Sequence, residues 1–492
     1  MEVKLIIRDE VNIKLEGLPL EARKKLSNKF KYQIPHARYH PAYKLGRWDG
    51  MISLFSIGGE GYLSQIETIL EILNSMKIEI TQIEDLRKPI DLNFKPITEN
   101  YWIEQGVVWP QGHQAAGKPI MLRDYQVEAI NKFLTNPQAL QELATSSGKT
   151  IITATLSHIC ESIGRTLTIV PNKSLVEQTE EDFINVGLDV GVYYGDRKDL
   201  FKTHTICTWQ SLEVLNKKSK RHDPDIMTLS QFLEGVKVII IDECHRSSAE
   251  ILRNLLTRNL TNAPIRWGLT GTVPKLPYEY ESIFASIGPV IGGIKAYELQ
   301  EQGVLSNCHV YIKQLIDLVE FKSYAEELKY LVTETGRIEY IARLVKDLVK
   351  SGNTFVLVDR IESGNRLLSY LESDTDVTFV SGSVKTKTRK EAYDTVKIAD
   401  NKIIIATYGV ASTGINIPRI FNLVLLEPGK SFTRVIQSIG RGLRKANDKD
   451  HVNIYDISST CRYSKKHLLE RRRYYNEAHY PFTIEKIDWK VN

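Results

Sequence analysis

The sequence predicts an α/β protein with two open parallel sheets in tandem, preceded by a smaller α+β module. Across residues 142–457, short runs of β-branched and aliphatic residues alternate with amphipathic stretches, a pattern typical of strands joined by crossover helices. The runs are apolar throughout, which indicates strands that are buried on both faces. Strands are predicted at residues 166–170, 236–241, 354–358, 402–406 and 423–426.

The chain has 492 residues, and this length favours about three domains. We predict an N-terminal accessory module over residues 1–111, a first α/β domain over 112–303 and a second over 304–492. Residues 285–306 contain four glycines and no strong strand pattern, so the connection between the α/β domains is placed there. The N-terminal strands are predicted at 3–7, 11–15 and 51–55, with helices at 20–30 and 63–75, and a basic helix is predicted at 465–475.

Composition excludes several classes of protein. Hydrophobic residues make up 42% of the chain and charged residues 25%, as in average globular proteins, and no apolar run approaches the ~18 residues of a membrane helix. The first residues lack the features of a secretory signal, so we expect a cytoplasmic protein without a membrane partner. Five cysteines without a Cys-x-x-Cys pair indicate neither a disulfide framework nor a zinc module. A net charge of +5 is too small to identify a polyanionic partner by itself.

Residues 143–150 read Leu-Ala-Thr-Ser-Ser-Gly-Lys-Thr and precede a predicted helix, the setting of a phosphate-binding loop. Backbone N–H groups and the helix N-terminus would surround phosphate oxygens, Lys149 would contact the β and γ phosphates, and the Thr150 hydroxyl would bind Mg²⁺. Leu143 replaces the first glycine of the general pattern, so an ordinary loop before a helix stays open as an alternative. The predicted phosphate-binding residues are Thr145, Ser146, Ser147, Gly148, Lys149 and Thr150.

A second candidate segment, residues 238–245, is an apolar strand that ends in two adjacent carboxylates. Acidic side chains at the tip of a strand are how a P-loop enzyme holds Mg²⁺. We expect Asp242 to bind the metal, through water, and Glu243 to orient and deprotonate the attacking water. A solvated acidic loop with a capping role is the alternative. Cys244 and His245 have no partners at zinc-ligand spacing, so they are not predicted to bind zinc.

These two segments belong to a longer ordered series that resembles the superfamily 2 helicases and translocases. The series comprises residues 122–126 (Leu-Arg-Asp-Tyr-Gln), 171–178, 208–212, 242–245, 269–272, 406–418 and 437–444. The resemblance implies two RecA-like P-loop domains, with ATP and Mg²⁺ as cofactors. It also assigns roles to several residues: adenine recognition to Gln126, nucleotide contacts to Arg123, Gly414 and Asn416, coupling of hydrolysis to domain movement to Thr270 and Thr272, and catalysis to Gln437 with Arg441 and Arg444 as arginine fingers.

The same resemblance bears on the substrate. Residues 122–126 lack the Gly-Phe and Pro upstream of the glutamine that mark RNA-remodelling relatives, and they resemble the DNA branch that includes XPB-like proteins and phage recombination helicases. Residues 39–50, ending in Trp-Asp-Gly, are similar to the N-terminal module of the phage branch. The implied function is a monomeric 3′-to-5′ DNA helicase for branched, forked or single-stranded DNA and for RNA–DNA hybrid in R-loops. An RNA helicase and a non-unwinding translocase subunit of a restriction or remodelling complex stay open as alternatives.

Family members hold the phosphates of one strand, largely independently of sequence. The resemblance places those contacts near Pro171, Thr208, Gly382 and Thr407. Independently of it, residues 21–50 hold eight Lys or Arg residues, two acidic residues and interleaved aromatic rings. Such a combination is typical of nucleic-acid binding, although a solvated helix face followed by the aromatics of a small core is an alternative. The segment 471–475 (Arg-Arg-Arg-Tyr-Tyr) leaves the same two interpretations open.

Overall fold

The computed structural model describes residues 2–34, 37–111, 115–220, 227–245, 250–382, 384, 386–411 and 417–491. The chain divides into two compact units, Met1–Leu143 with Gly148–Gly293 and Ala144–Ser147 with Ile294–Asn492. The finer division into three domains, with boundaries after residues 111 and 303, stays a prediction. No helix in the described ranges is long and apolar enough to span a membrane.

The first unit begins with a small α+β region. Its four-stranded sheet has the order β5-β2-β1-β6, in which β1 is antiparallel to β2 and parallel to β6. Side chains of alternating residues on β2 enter the core, as do Ala22 and Leu26 on one face of α1. The elements are β1 (Lys4–Ile7), β2 (Asn12–Glu16), α1 (Leu20–Lys29), β3 (Lys31–Gln33), α2 (Pro41–Lys44), β4 (Met51–Ser53), β5 (Glu60–Tyr62), α3 (Ile66–Ser75), β6 (Gln82–Asp85) and α4 (Tyr101–Glu104).

The larger part of the first unit is an eight-stranded sheet with the order β10-β9-β11-β8-β12-β13-β7-β14. Strands β9, β11, β8, β12, β13 and β7 pair in parallel, and the predicted apolar strands β8 and β12 lie at its centre. The elements are α5 (Asp124–Leu134), β7 (Gln138–Leu143), α6 (Lys149–Ile159), β8 (Arg165–Val170), α7 (Lys173–Asn185), β9 (Val190–Tyr194), β10 (Arg197–Lys198), β11 (His204–Thr208), α8 (Trp209–Ser219), α9 (Leu229–Phe232), β12 (Val236–Asp242), α10 (Glu250–Asn254), β13 (Ile265–Thr270), α11 (Pro277–Ser286) and β14 (Val290–Ile294).

Strand β14 lies within residues 285–306, where the sequence predicts no strong strand, so that prediction is wrong. The glycines there permit close backbone approach. A Cβ atom on Gly293 would lie 2.1 Å from the carbonyl oxygen of Glu142, and one on Gly288 would lie 2.5 Å from the carbonyl oxygen of Gln138. Glycine in a strand often marks such an approach of two backbones. The glycines therefore admit an additional strand beside β7 instead of ending the sheet.

The second unit contains a seven-stranded sheet with the order β17-β18-β16-β19-β20-β15-β21, and its neighbouring strands are parallel. Aliphatic residues of the central strands form its core. The elements are α12 (Ala296–Glu301), β15 (Asn307–Leu315), α13 (Tyr324–Thr333), α14 (Thr335–Val349), β16 (Thr354–Val358), α15 (Ile361–Leu371), β17 (Val377–Val380), α16 (Thr386–Ile398), β18 (Ile403–Thr407), α17 (Tyr408–Ala411), β19 (Asn422–Leu426), α18 (Phe432–Gly442), β20 (His451–Ser459), α19 (Arg462–Glu477) and β21 (Phe482–Ile487).

The predicted basic helix is α19, and much of its basic segment is internal. Arg471 is fully buried and donates from Nε and Nη2 to the two carboxylate oxygens of Asp456 at 2.8 Å each. The Tyr475 hydroxyl donates to the same carboxylate at 2.7 Å, and Tyr474 is also buried. A buried charge is tolerated when it is paired and hydrogen-bonded in this way. For these three residues the structure therefore supports packing, not a nucleic-acid contact.

Candidate nucleotide site and nucleic-acid contacts

The predicted phosphate-binding loop connects β7 to α6. Gly148 precedes the first turn of α6 and has φ +84°, and Ser146 has φ +68°, so the chain enters the helix through left-handed backbone. The Lys149 ammonium donates to the carbonyl oxygen of Leu143 at 3.2 Å, which brings it back across the loop. A helix N-terminus preceded by left-handed backbone exposes N–H groups to an anion. The local backbone geometry is therefore compatible with a phosphate, and phosphate binding by Lys149 and Thr150, in the first turn of α6, stays a prediction.

Helix α5 places Gln126 against this loop. The Arg123 backbone N–H donates to Gln126 Oε1 at 3.0 Å, which orients the amide group. A Cβ atom on Gly148 would lie only 2.5 Å from Gln126 Nε2. The Arg123 guanidinium donates to the Tyr125 hydroxyl at 3.0 Å. The structure thus brings two predicted site residues, Gln126 and Gly148, together, while adenine recognition by Gln126 and a nucleotide contact from Arg123 stay predictions.

The two adjacent carboxylates lie at the carboxyl end of β12, as predicted. Glu243 has φ +52°, and its backbone N–H donates to Asp242 Oδ1 at 2.9 Å. Burial, and then the nearby Glu243 carboxylate, raise the pKa of Asp242 to about 6, while the Lys149 ammonium acts in the opposite direction. A partly buried carboxylate that is repelled by a neighbouring carboxylate is stabilised in its charged form by a divalent cation. Asp242 therefore fits Mg²⁺ as a carboxylate ligand, and the Thr150 hydroxyl stays its predicted second donor.

His245 has a partner that sequence spacing did not reveal. Its Nδ1 lies 3.3 Å from Glu243 Oε2 and 2.9 Å from the Thr270 hydroxyl. The Thr270 hydroxyl in turn donates to the carbonyl oxygen of Thr272 at 2.9 Å. The Glu243 carboxylate is therefore linked through one imidazole to the end of β13. Cys244 is buried, and burial raises the pKa of its thiol far above the ordinary value, which indicates packing.

The predicted arginine fingers belong to the second unit, with Gln437 and Arg441 one turn apart on α18 and Arg444 just beyond it. Gln437 and Arg441 are buried. The four residues Ala144–Ser147 of the phosphate loop are grouped with this same unit. Within it, Arg444 Nε donates to the Ser146 hydroxyl at 2.9 Å, and a Cβ atom on Gly440 would lie 2.7 Å from Thr145 Cβ. Gly414 and Asn416 lie outside the described residues.

Lys449 was missed in the sequence analysis. It is buried, and its ammonium donates to the carbonyl oxygens of Gly442 at 2.5 Å, Arg444 at 2.7 Å and Pro418 at 3.1 Å. The first two carbonyls terminate α18, where a cation also complements the helix dipole. A lysine shortly after a helix is a weak sequence signal, and only the fold shows that this one holds the backbone on both sides of Leu443.

The residues that are expected to bind nucleic acid lie at the carboxyl ends of neighbouring β-strands. Pro171 follows β8 and Thr208 ends β11, which are paired strands, and Gln210 Nε2 donates to the carbonyl oxygen of Pro171 at 3.3 Å. In the second unit, Thr407 ends β18, and Gly382 follows the paired strand β17 and is exposed. Each pair therefore occupies the carboxyl edge of its own sheet, where ligands of open α/β sheets bind.

The basic N-terminal segment divides into core and surface. Phe30 is buried, and the Trp48 indole donates to the carbonyl oxygen of Met51 at 2.7 Å, so these rings are structural. Tyr39 and Tyr43 remain exposed. On α1, three lysines lie on the face opposite the core. These exposed cations are Lys24, Lys25 and Lys29.

The chain matches two protein-family models. The model described as "Type III restriction enzyme, res subunit" matches residues 119–275, and the "Helicase conserved C-terminal domain" matches residues 336–446. The chain is 24% identical to the ATP-dependent DNA helicase uvsW of Enterobacteria phage T4, over 96% of this chain and 94% of that protein. It is 25% identical to the DNA 3′-5′ helicase XPB of Kineococcus radiotolerans, over 75% of this chain and 65% of the relative.

Solved structures agree on the fold. The Type ISP restriction-modification enzyme LlaBIII bound to DNA superimposes with a TM-score of 0.57 at 15% identity, over 86% of this chain and 34% of that one. Two parallel sheets, each matched by a helicase family model, confirm the predicted pair of RecA-like domains. The chain therefore belongs to the superfamily 2 helicases and is an ATP-dependent helicase.

Proposed function

We propose that this helicase uses ATP and Mg²⁺ to move along DNA and to process branched DNA, by branch migration, fork regression and R-loop unwinding. Its setting is phage replication, recombination and repair in the cytoplasm of a bacterial host. The observation that carries the proposal is the similarity to a phage DNA helicase over 96% of the chain, which includes the N-terminal region as well as the two motor domains. By analogy with the XPB relative, the direction of movement is 3′ to 5′.

The proposed ATP site uses the groups that surround the phosphate loop. Lys149 and the N-terminus of α6 bind phosphate oxygens, and Thr150 with Asp242 holds Mg²⁺, which when bound neutralises phosphate charge. Glu243 orients the attacking water and accepts its proton, and His245 positions that carboxylate. Arg441 and Arg444 contribute planar guanidinium groups that match phosphoryl oxygens, with Gln437 beside them. The partly buried, adjacent carboxylates of Asp242 and Glu243 next to a lysine support these roles.

The proposed DNA contacts are of two kinds. The carboxyl edges of the two large sheets hold one strand by its phosphates, at Pro171, Thr208, Gly382 and Thr407. The exposed lysines of α1 hold the duplex or junction, and this α+β region is hydrogen-bonded to the first motor domain. For example, Gln138 Nε2 donates to the carbonyl oxygen of Glu10 at 2.8 Å, and Glu10 N–H donates to that of Thr261 at 3.0 Å. A module fixed to the motor allows a monomer to act on a junction.

The experiment is steady-state ATP hydrolysis with four-way DNA junctions, forks, single strands, duplex and RNA, compared at one salt concentration because backbone binding depends on salt. We expect forks and junctions to stimulate hydrolysis most, and Lys149→Ala to abolish the stimulated rate. The exposed Lys132, which pairs with Glu128 on α5, provides a matched control as Lys132→Ala. Stimulation by RNA alone would establish an RNA helicase instead.

A non-unwinding DNA translocase is the second candidate, because the first domain matches a restriction-enzyme subunit and the fold resembles a DNA-bound restriction enzyme. The two functions separate in paired assays on one DNA substrate. A translocase displaces a triplex-forming strand but leaves a forked duplex intact, whereas the proposed helicase unwinds the fork.

A further inference from the structure

A group of aromatic rings lies at the carboxyl edge of the second unit's sheet, outside the nucleotide site. Tyr324 follows the loop after β15, and Tyr463 and His467 begin α19 after β20. Because β15, β20, β16 and β18 belong to one parallel sheet, the loops after them share one edge with Gly382 and Thr407. The rings therefore occupy the sheet edge that is proposed to hold a DNA strand.

The rings support one another. The Tyr324 ring centroid lies 5.0 Å from that of His467, with an interplanar angle of 67°, and 6.0 Å from that of Tyr463, with an angle of 61°. The Tyr463 hydroxyl donates to the carbonyl oxygen of Lys322 at 3.2 Å, which ties α19 to the loop after β15. Tyr324 nevertheless remains 40% exposed. Two rings thus hold a third in place with part of its surface open to solvent.

Cations without carboxylate partners surround this aromatic cluster. The Arg462 guanidinium lies 5.6 Å from the Tyr463 ring centroid, Lys430 is close enough to His467 to affect its pKa, and Arg360 affects Tyr324 in the same way. Burial lowers the pKa of His467 to about 4, so its ring is neutral at pH 7. Within the described residues, no ion pair involves the exposed side chains of Lys322, Arg360, Lys430 or Arg462. Of the nearby acids, Asp359 pairs with Arg434 and Glu470 with Arg473, whereas the carboxylates of Glu326 and Glu327 accept backbone N–H groups of Lys322, Tyr463 and Ser464.

We propose that the aromatic cluster Tyr324–Tyr463–His467 is a stacking platform for a base of the single DNA strand held by the second domain. The four cations around it bind the phosphates on either side of that base. An exposed ring within a basic surface is the combination used to bind single strands without regard to sequence. The exposed cations Lys322, Arg360, Lys430 and Arg462 are complementary to the phosphates of a polyanion. The proposal rests on the proposed function, because it assumes that this sheet edge holds DNA.

The test compares Tyr324→Ala with Tyr324→Phe, which keeps the ring and removes only the hydroxyl. Binding of a fluorescein-labelled oligo-dT strand is measured over a series of salt concentrations. We expect Tyr324→Ala to weaken binding about tenfold, the scale of one lost stacking contact, without changing the dependence on salt. Tyr324→Phe should bind like the unaltered protein. Lys430→Gln should instead reduce the salt dependence, by about 0.7 in the slope of log K against log salt.

A set of strands, each with a single abasic site at a different position, sharpens the test. Each of these strands retains all its phosphates and lacks one base. When the missing base is the one that faces the platform, the difference in affinity between the unaltered protein and Tyr324→Ala should disappear. If Tyr324→Ala loses the same affinity for every strand, whatever the position of the abasic site, or loses affinity for none of them, the platform is overturned. A thermal melt confirms that Tyr324→Ala is folded, and Tyr324→Leu, which keeps an apolar side chain without a stacking face, should bind like the alanine variant.

Failure of this inference is distinguishable from failure of the proposed function. Oligo-dT and an RNA strand of the same length are compared with the unaltered protein. If that protein binds RNA but not DNA, both proposals are wrong. If the unaltered protein binds DNA and hydrolyses ATP in response, and Tyr324→Ala binds every strand as tightly as the unaltered protein does, the platform alone is wrong.

Discussion

Gln126 and Gly148 are packed so closely that residue 148 has no room for a side chain. A Cβ atom there would lie 2.5 Å from Gln126 Nε2, and the backbone has φ +84°. Two independent constraints, left-handed backbone and contact with the glutamine amide, therefore select glycine at the entrance to α6.

Gly148→Ala should weaken ATP binding strongly, because both constraints are violated in the loop that surrounds the phosphates. Gly106→Ala is the matched control, since Gly106 has φ +70° and open space around it. It should lose about 1 kcal/mol of stability without changing affinity. Adding Gln126→Ala to Gly148→Ala removes the clash and should restore part of the stability. Titration with a fluorescent nucleotide measures the affinity, and thermal melts measure the stability. An unchanged ATP affinity in Gly148→Ala would contradict the assignment of the loop.

Arg441→Ala should slow hydrolysis by about 10³-fold or more, the scale of a lost arginine finger, while DNA affinity stays close to normal. A buried guanidinium that neutralises transition-state charge affects the chemical step and not strand binding. Arg473→Ala on the exposed side of α19 is the control, since Arg473 forms ion pairs with Glu470 and Glu477 on the same helix. Single-turnover hydrolysis and equilibrium DNA binding are measured together. Parallel losses in both would refute the finger role.

Lys449→Met should lower kcat with a smaller effect on KM for ATP, because the backbone that carries Arg441 and Arg444 loses three hydrogen bonds. The expected loss is about tenfold or more, as for a displaced catalytic group. The comparison variant is Lys445→Met, an exposed lysine in the same segment. If KM alone changes, Lys449 does not position the fingers.

Lys449 should also leave a signature in the dependence of stability on pH. Burial lowers the pKa of this ammonium from 10.5 to about 7, so above pH 7 the neutral amine keeps two N–H donors for the three carbonyl oxygens. Between pH 7 and 10.5 the unfolded chain binds the proton and the folded chain does not, so the free energy of unfolding rises with pH in this window. Below pH 7 the folded chain carries the whole free-energy cost of burying the charged ammonium. Relative to Lys449→Met, the unaltered protein should gain about 1 kcal/mol per pH unit between pH 7 and 9. Urea denaturation at pH 7 and 9 measures this difference. A difference that does not vary with pH would show that the ammonium keeps its proton.

Neutralising Lys24, Lys25 and Lys29 to glutamine should weaken junction binding and reduce the slope of log K against log salt by up to about 2.7, three phosphate contacts at ~0.9 each. The lysines project from α1 away from its buried face, so the fold should survive. The control is the double variant Lys346→Gln, Lys350→Gln. These two lysines lie at the end of α14, just before the amino end of β16. The solvated-face interpretation predicts an unchanged slope.

Much of this architecture was predictable because its signals are local. Apolar strands and Gly-Lys-Thr before a helix occupy adjacent positions in the chain, and every predicted apolar strand is present within a residue or two. The strand at Val290–Ile294 was missed because its glycines resemble a linker. Their role depends on a backbone about 150 residues earlier in the sequence, at Glu142.

The sequence by itself determined the type of each large domain and the order of the motifs, and it supplied the predicted site residues, because periodicity and short-range spacing encode these features. Only the tertiary structure decided which charges are internal and which groups are linked. Arg471 and Arg473 are two residues apart, yet one is paired with Asp456 in the core and the other is exposed. His245 reaches Thr270 across 25 residues, and Arg337 reaches Glu427 across 90. Such pairs arise when strands distant in sequence become neighbours in a sheet, and burial then requires each charge to have its partner.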